Sequence, residues 1–397
     1  MSTTDYTSKI LGMEDVIIED YTVSDSAHKL VITMPRRTHI CPVCGTETAT
    51  VHDYRERQIV DLSIQNKRTI LRYRRRRYQC PCCNKRFAEL CSFAGRYQRF
   101  TSRVAIAIMD CLHTRQSMKD IARQTGTTVS GVARCLGLQP QTPPRLLPEV
   151  LSLDEFKGNV DGEKFQCILT APLQHKVFDI LPSRHTSTVQ DYLKRFPNRN
   201  EVKAVVMDMN SGFRDVVRAF LPYAKIVIDR FHVVRYCTWA MDDVRRKLQK
   251  SLKPETRKYF KRSRKLLLAH HDKLSEEDRQ AVSVMLGFSD SLHQAYALKE
   301  TFYQFMASPD STVGAQRLHD WLEAQRLLAI PEFKACARML RNWKPYILNA
   351  FDLRVSNGFT EGCNNGSKTL KRVAFGFRNF RNFRARILLA ADHYPNI

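Results

Sequence analysis

The sequence predicts a multidomain α+β protein: a small metal-stabilised β-module and a helical module first, then a larger α/β domain interrupted by a long helical segment. Three observations carry this expectation. Two Cys-x-x-Cys pairs, Cys41/Cys44 and Cys80/Cys83, are separated by β-type sequence. Short apolar runs of strand character alternate with helical stretches between residues 150 and 234. Residues 235–350 then show helical periodicity and nothing resembling a strand.

Composition narrows the function classes. With 43% hydrophobic residues and only 15 Gly and 16 Pro in 397, the chain has material for packed cores, and collagen-like or wholly disordered classes are excluded. The 64 Lys and Arg outnumber the 40 Asp and Glu, a formal charge of +24 that favours polyanionic partners, because each cation placed on a phosphate releases a counterion. The charge is concentrated at residues 67–103, 235–265 and 366–386, and the last stretch is interleaved with Phe375, Phe377, Phe380 and Phe383. No run reaches the roughly 18 apolar residues of a membrane span, and the first residues are acidic where a signal peptide is basic and then apolar. A cytoplasmic protein without a membrane partner is expected. In that compartment clustered Cys read as metal ligands, and the scattered Cys167, Cys237, Cys336 and Cys363 as buried thiols.

In chain order, VIIEDYTVSDSAHKLVITM suggests an N-terminal hairpin. The two cysteine knuckles, joined by a β-excursion, have the plan of a zinc ribbon with Cys41, Cys44, Cys80 and Cys83 as thiolate ligands; Cys82 is a spare sulfur and Cys91 an outside contender. SMKDIARQTGTTVSGVARCL reads as a helix over 118–124, a turn with Gly126, and a second helix from about Thr128. This is helix-turn-helix spacing, with Ile121, Ala122, Val129 and Val132 between the helices and Ser130, Gly131 and Arg134 turned toward a major groove. The proline-rich GLQPQTPPRLLPEV is a linker. Strands are expected at 150–156, 164–172, 176–183, 202–210 and 224–234, with helices after the third and fourth. Three antiparallel-type strands followed by alternating helix and strand is the ribonuclease H-like order. The expected domains are 1–100 (hairpin and ribbon), 101–137 (helix-turn-helix), 138–149 (linker), 150–234 (first part of the core), 235–350 (helical insertion) and 351–397 (the rest of the core, with its closing helices). Trp239, Trp321 and Trp343 read as helical core.

Three acids stand where an element delivers a carboxylate to a sheet edge: Asp154 on the first strand, Asp208 after the fourth, and Glu361 opening the helix after the insertion. Clustered hard oxygen ligands of this kind suit paired Mg²⁺ or Mn²⁺ ions. In TEGCNNGSKTLKR, Glu361, Asn364 or Asn365, Lys368 and Arg372 share one helix face, suited to a metal at one end and DNA backbone along the rest. Thr360 is a candidate cap of that helix.

Together, the CPVCG and CPCCNKRF knuckles, the helix-turn-helix, SLDEF, VVMDMN, IDRFHVV and SNGFTEGCNNGSKTLKRVAFGFRNFRNFRARI resemble the transposases of the ISL-three (ISL3) family of bacterial insertion sequences, in the Asp-Asp-Glu class. The resemblance covers most of the chain. It implies a ribonuclease H-like catalytic domain with Asp154, Asp208 and Glu361 as the metal-binding triad, an all-helical insertion before Glu361, one structural zinc, and an N-terminal part that binds terminal inverted repeats. Cleavage of double-stranded DNA at the element ends, joining of the 3′-hydroxyl to target DNA, a homodimer on paired ends and a nucleoid-associated location would follow. Arg74, Arg75, Arg76 and Arg77 are expected on phosphate, Ser130 and Arg134 in the groove, and Asn364, Lys368, Arg372, Arg378 and Arg381 along DNA. Residues 1–145 are expected to recognise the repeat alone. Asp229 and His232, spaced D-x-x-H on the fifth strand, are auxiliary residues with a structural or DNA-contact role, a direct catalytic one, or a plain strand-end hydrogen bond. The competing class is a zinc-ribbon and helix-turn-helix regulator with an inactive ribonuclease H-like domain; a structure-selective nuclease is a third.

Overall fold

The computed structural model describes residues 12–391 other than 14, 140, 141, 261 and 375. The described chain divides into two compact units, one running up to Thr142 and resuming at Thr369, the other Pro143–Lys368.

In the first unit β1 (Ile17–Val23) and β2 (Ala27–Thr33) form the expected hairpin. Two short paired strands, β3 (His39–Ile40) and β4 (Glu47–Thr48), frame the first cysteine knuckle. The excursion between knuckles is a long hairpin of β5 (Val51–Ile64) and β6 (Lys67–Gln79), and β6 also pairs with β2 and with β7 (Arg86–Ala88). Gln65 and Asn66 at its tip both have left-handed φ, the two-residue connection whose twist matches that of the flanking strands. Along β6 the two-residue alternation turns Leu71 and Tyr73 into a core with Leu30, Ile32 and Ile59, while Arg72 and Arg74 face out. The four-arginine run is therefore not one exposed comb. Arg74 is exposed, its guanidinium 4.4 Å over the Tyr54 ring. Arg75 instead donates to the Glu89 carbonyl, Arg76 to the buried Glu89 carboxylate and to the Met34 carbonyl, and Arg77 pairs with Asp53 at 3.0 Å.

Helices α1 (Ser102–Leu112), α2 (Met118–Gln124) and α3 (Val129–Gly137) follow, and Thr101, Ser117 and Thr128 each accept a first-turn N–H. Gly126, at φ +69°, makes the turn between α2 and α3. Ile121, Ala122 and Val132 pack together as expected, whereas Val129 is exposed. Gly131 is buried, with the Phe100 ring 3.4 Å from where a Cβ would stand, so it cannot reach a groove; Ser130 and Arg134 are exposed.

The second unit is built on one sheet. Strands β8 (Val150–Phe156), β9 (Gln166–Ala171) and β10 (Lys176–Leu181) form an antiparallel meander. After α4 (Thr186–Leu193), strand β11 (Ala204–Met207) lies parallel to β8 on its other side, and after α5 (Ser211–Phe220), β12 (Lys225–Ile228) extends the parallel part. The order is β10-β9-β8-β11-β12. The fifth strand is shorter than its apolar run suggested. It stops at Ile228, and Asp229 begins α6 (Arg230–Ser251), because Val233, Cys237, Ala240, Met241 and Val244 recur at helical spacing and bury one face. Asp229 and His232 thus sit at a strand-to-helix junction, not on a strand.

Helices α7 (Pro254–Arg257), α8 (Ser263–Leu268), α9 (Glu276–Leu286), α10 (Asp290–Met306), α11 (Ser311–Leu328) and α12 (Lys334–Leu353) complete a helical region around Leu292, Phe302, Phe305, Trp321 and Phe333. Residues 229–357 contain no strand among those described. α12 lies against the sheet: Asn349 donates to the Ile226 carbonyl at 2.7 Å, and Ala350 packs on Val150, Val206 and Val227. Trp321 and Trp343 are buried, but Trp239 is about half exposed beneath Arg235. Cys167, Cys237, Cys336 and Cys363 are all buried. Among the described residues no helix is long and apolar enough to cross a membrane.

Helix α13 (Gly358–Val373) carries the chain across the unit boundary, and α14 (Phe380–Ala391) packs with α1 and α3. Ala385 joins the core of Val104, Ile121 and Leu136, and Arg386 donates to the carbonyls of Thr114 and Gln116 at 2.9 Å. The closing helix therefore completes the first unit. This corrects the assignment of all of 351–397 to the sheet domain, and residues 1–145 alone lack part of their core.

Candidate active site and metal centre

The two knuckles are built alike. Gly45 N–H donates to the Cys41 carbonyl at 3.0 Å and Asn84 N–H to the Cys80 carbonyl at 3.1 Å, and each fifth residue takes left-handed φ. These turns present Cys41, Cys44, Cys80 and Cys83 so that all four sulfurs lie within 4.8 Å of one another. The Cys41–Cys83 and Cys44–Cys80 separations are 3.5 and 3.4 Å. Four thiolates about 2.3 Å from a tetrahedral zinc stand roughly 3.8 Å apart, so the cluster fits that ion. Hydrogen bonds from Thr46 bring the Cys44 thiol down to about 6, toward the thiolate a metal takes. Cys82 is exposed and Cys91 packs on the first unit's core; neither joins the cluster.

In the sheet domain the strand register brings three acids to one edge. Leu153 is level with Met207, and Met207 with Ile228, so Asp154, Asp208 and Asp229 are the next residues where the parallel pairing stops, Asp154 still within β8 and the other two just past β11 and β12. Asp154 and Asp208 line an open cavity of about 390 Å³ with Glu155, Asn210, Ser211 and Phe213. Burial, reinforced by the negative charge of Asp208, pushes the Asp154 carboxyl up to about 7. Nδ1 of His232 lies 3.0 Å from Asp208 Oδ1 and 3.1 Å from Asp229 Oδ2. Both neighbours are acceptors, so that nitrogen carries a proton, and the two carboxylates, Asp208 foremost, hold the imidazolium up to about 10. The directed hydrogen bond goes to Asp229. Asp208 Oδ1 is buried, receives no directed hydrogen bond from the described residues, and is faced by the charge of His232. Asp208, Asp229 and His232 form a cluster of potential ligands.

Glu361 lies in the first turn of α13, and its carboxyl is raised by partial burial and then by the charges of Asp229 and Asp208, with His232 opposing. An adjoining face of this helix is polar and buried. Asn357, Thr360, Asn364 and Ser367 follow at helical spacing with 4% exposure or less. Thr360 does not cap the helix; its hydroxyl bonds Thr170 at 2.7 Å and Ser152 at 3.0 Å, and Ser152 also bonds Asn357. Asn364 Nδ2 donates to Asp154 Oδ2 at 2.6 Å. Asn364 is thus turned to the sheet and not toward DNA, while Asn365 and Arg372 are exposed and Lys368 is half-buried. This layer was missed in the sequence because a DNA-facing stripe through Glu361 was read first; the buried one is the Asn, Thr, Asn and Ser series at spacings of three, four and three. Also missed was Arg184, which binds both Glu155 oxygens at 2.8 and 2.9 Å and leaves Asp154 as the uncompensated acid of that pair.

A four-cysteine ribbon stands ahead of an α/β domain with acids gathered at one side of its sheet, and comparison with known proteins gives the class. The ISL3 family described as "Transposase" matches residues 151–387, more than half of the chain, and the family described as "zinc-finger of transposase IS204/IS1001/IS1096/IS1165" matches residues 37–83. The "Transposase for insertion sequence element IS1001" of Bordetella parapertussis is 28% identical over 360 residues, 88% of each chain. The "Transposase for insertion sequence element IS1557" of Mycobacterium tuberculosis is 27% identical over 221 residues, half of each. A Lactococcus lactis protein named "ATP-dependent protease" is 33% identical over 136 residues, covering 33% of this chain and 38% of its own. The chain belongs to the ISL3 family of transposases. It is a DNA transposase with an N-terminal zinc ribbon, and the regulator alternative is not favoured.

Proposed function

We propose that the second unit is a ribonuclease H-like catalytic domain with a helical insertion between β12 and α13, and that Asp154, Asp208 and Glu361 hold two Mg²⁺ or Mn²⁺ ions for cleavage at the terminal inverted repeats and transfer of the freed 3′-hydroxyl to target DNA. The observation that carries this is the register placing Asp154 and Asp208 side by side at the carboxyl edge of adjacent parallel strands, beside an open cavity. The buried Asp208 Oδ1 without a directed donor, and the raised Asp154 and Glu361 carboxyls, are what acids brought together for a cation look like before it binds. When bound, such ions activate the attacking oxygen and stabilise the leaving one. His232 would keep Asp208 and Asp229 close by neutralising part of their charge, with Asp229 as its anchor. That favours the structural role for this pair.

For DNA, support is strongest at exposed cations. Arg134, with Ser130, stands on the outward face of α3, and Arg74 on β6; Arg372, Arg378 and Arg381 are exposed on and after α13. Lys368 is a half-buried candidate. Pairing two element ends calls for a homodimer, testable by light scattering with and without an end duplex.

The test uses a labelled duplex carrying the element end, with Mg²⁺. Asp154→Asn, Asp208→Asn and Glu361→Gln should each lose cleavage by orders of magnitude while still binding the duplex, and Asp215→Asn should retain it. Cleavage persisting in Asp208→Asn but lost in Asp229→Asn would give the second carboxylate to Asp229, and cleavage persisting in all three triad variants would remove the catalytic assignment.

A further inference from the structure

We propose that Asn364 is a positioning residue of the catalytic centre: its amide fixes Asp154 and, through α13, fixes where Glu361 stands relative to it. The inference rests on the triad reading above and adds a part to it. Asn364 is 4% exposed, and Nδ2 reaches Asp154 Oδ2 at 2.6 Å. The other Asp154 oxygen takes the Glu155 N–H at 2.7 Å, so the carboxylate is held at both ends. Asn364 is one turn beyond Glu361 on the same helix, so this single hydrogen bond links two acids that are 207 residues apart in the sequence.

A packing role alone accounts poorly for an amide here. Its Oδ1 is buried and has no partner among the described residues, an unfavourable arrangement that an aliphatic side chain would avoid. The hydroxyls of Ser152, Thr170 and Thr360 already pin the helix against β8 and β9. What Asn364 adds is a short, neutral donor against a carboxylate. Aspartate there would place like charges in contact, and glutamine would carry the donor a methylene too far. Groups that orient metal-binding side chains typically alter affinity by 10- to 100-fold when removed, without touching the metal themselves.

The experiment compares full-length wild type with Asn364→Ala, Asn364→Gln and Ser367→Ala. Ser367 is also fully buried on α13, but among the described residues its hydroxyl bonds only the Cys363 carbonyl, so Ser367→Ala controls for loss of a buried polar group. Two readouts are taken: the Mg²⁺ concentration for half-maximal cleavage of an end duplex, set against the rate at saturation, and the Mg²⁺ concentration giving half of the metal-dependent rise in melting temperature. Both Asn364 variants should need about ten-fold more Mg²⁺ in both readouts, with end binding retained and partial recovery in Mn²⁺, while Ser367→Ala stays within about two-fold of wild type. Wild-type Mg²⁺ dependence in a folded Asn364 variant, or an equal shift in Ser367→Ala, overturns the proposal; if Asn364→Ala does not fold, Asn364→Gln decides alone. An active Asp154→Asn protein would instead bring down the triad reading itself.

Discussion

Asp154→Asn should stabilise the metal-free protein at pH 8 while abolishing cleavage. The Asp154 carboxyl is raised from 3.8 to about 7 by burial and then by Asp208. Because the folded value lies above the unfolded one, the protonated group contributes stability that is complete below about pH 4 and is lost as pH rises through 7. At 1.36 kcal/mol per unit, the ionised carboxylate costs on the order of 4 kcal/mol at pH 8 and about 2 at pH 5. Asparagine removes that cost and still accepts from Asn364, but it turns an NH₂ toward the Glu155 N–H, returning about 1 kcal/mol. A net gain of roughly 3 kcal/mol in a domain of this size raises its melting temperature by about 6–12 °C at pH 8, and the roughly 1 kcal/mol left at pH 5 raises it by about 2–4 °C. Calorimetry of the full chain at both pH values would measure it, in buffers free of divalent ions but without chelators, which would strip the zinc. Adding Mg²⁺ should raise the wild-type transition and leave the variant's in place. A variant melting at or below wild type at pH 8 without metal would refute the idea that these acids are held together against their mutual repulsion.

Cys44→Ser should lower zinc from one per chain and remove amide-exchange protection in the β5–β6 hairpin; one retained zinc with unchanged protection would exclude Cys44 as a ligand. Glu89→Ala should destabilise the first unit by about 3–5 kcal/mol, because it strips a buried acceptor from the Tyr73 hydroxyl and a carboxylate from Arg76, and Glu89→Gln by less than half of that, read by hydrogen exchange across β6. Arg74→Ala should weaken binding to all duplexes and reduce the salt slope by about one, whereas Arg134→Ala should relax sequence preference at similar slope. Equal effects of the two on both quantities would count against the division of labour.

What the sequence made legible was whatever repeats along a single element. The zinc knuckles, the helix at 118–124, the strand at 150–156 and the helix from Thr186 follow from local spacing, and the structure has them in place. Errors cluster where a local pattern permits two outcomes. The run at 224–234 is apolar enough for a strand, but beyond Ile228 its periodicity is that of a helix whose buried face runs on through Cys237, Met241 and Val244. Four consecutive arginines look alike in sequence, yet only the fold shows that Glu89 and Asp53 engage three of them. Asn364 read as a surface amide because nothing local indicates that Asp154, 210 residues away, is its partner.

Helix α14 packs into the first unit from the far end of the sequence, and this bears on the protein during its synthesis. The helix-turn-helix emerges from the ribosome with about 250 residues still to be made, and until Ala385 and Arg386 appear, its core and the carbonyls of Thr114 and Gln116 lack their partners. A nascent chain therefore carries Asp154, Asp208 and Glu361 before the core of its N-terminal helical module is complete. On the proposed assignment, a chain cut short before Ala385 would carry the three acids but lack a complete helical module for the element ends.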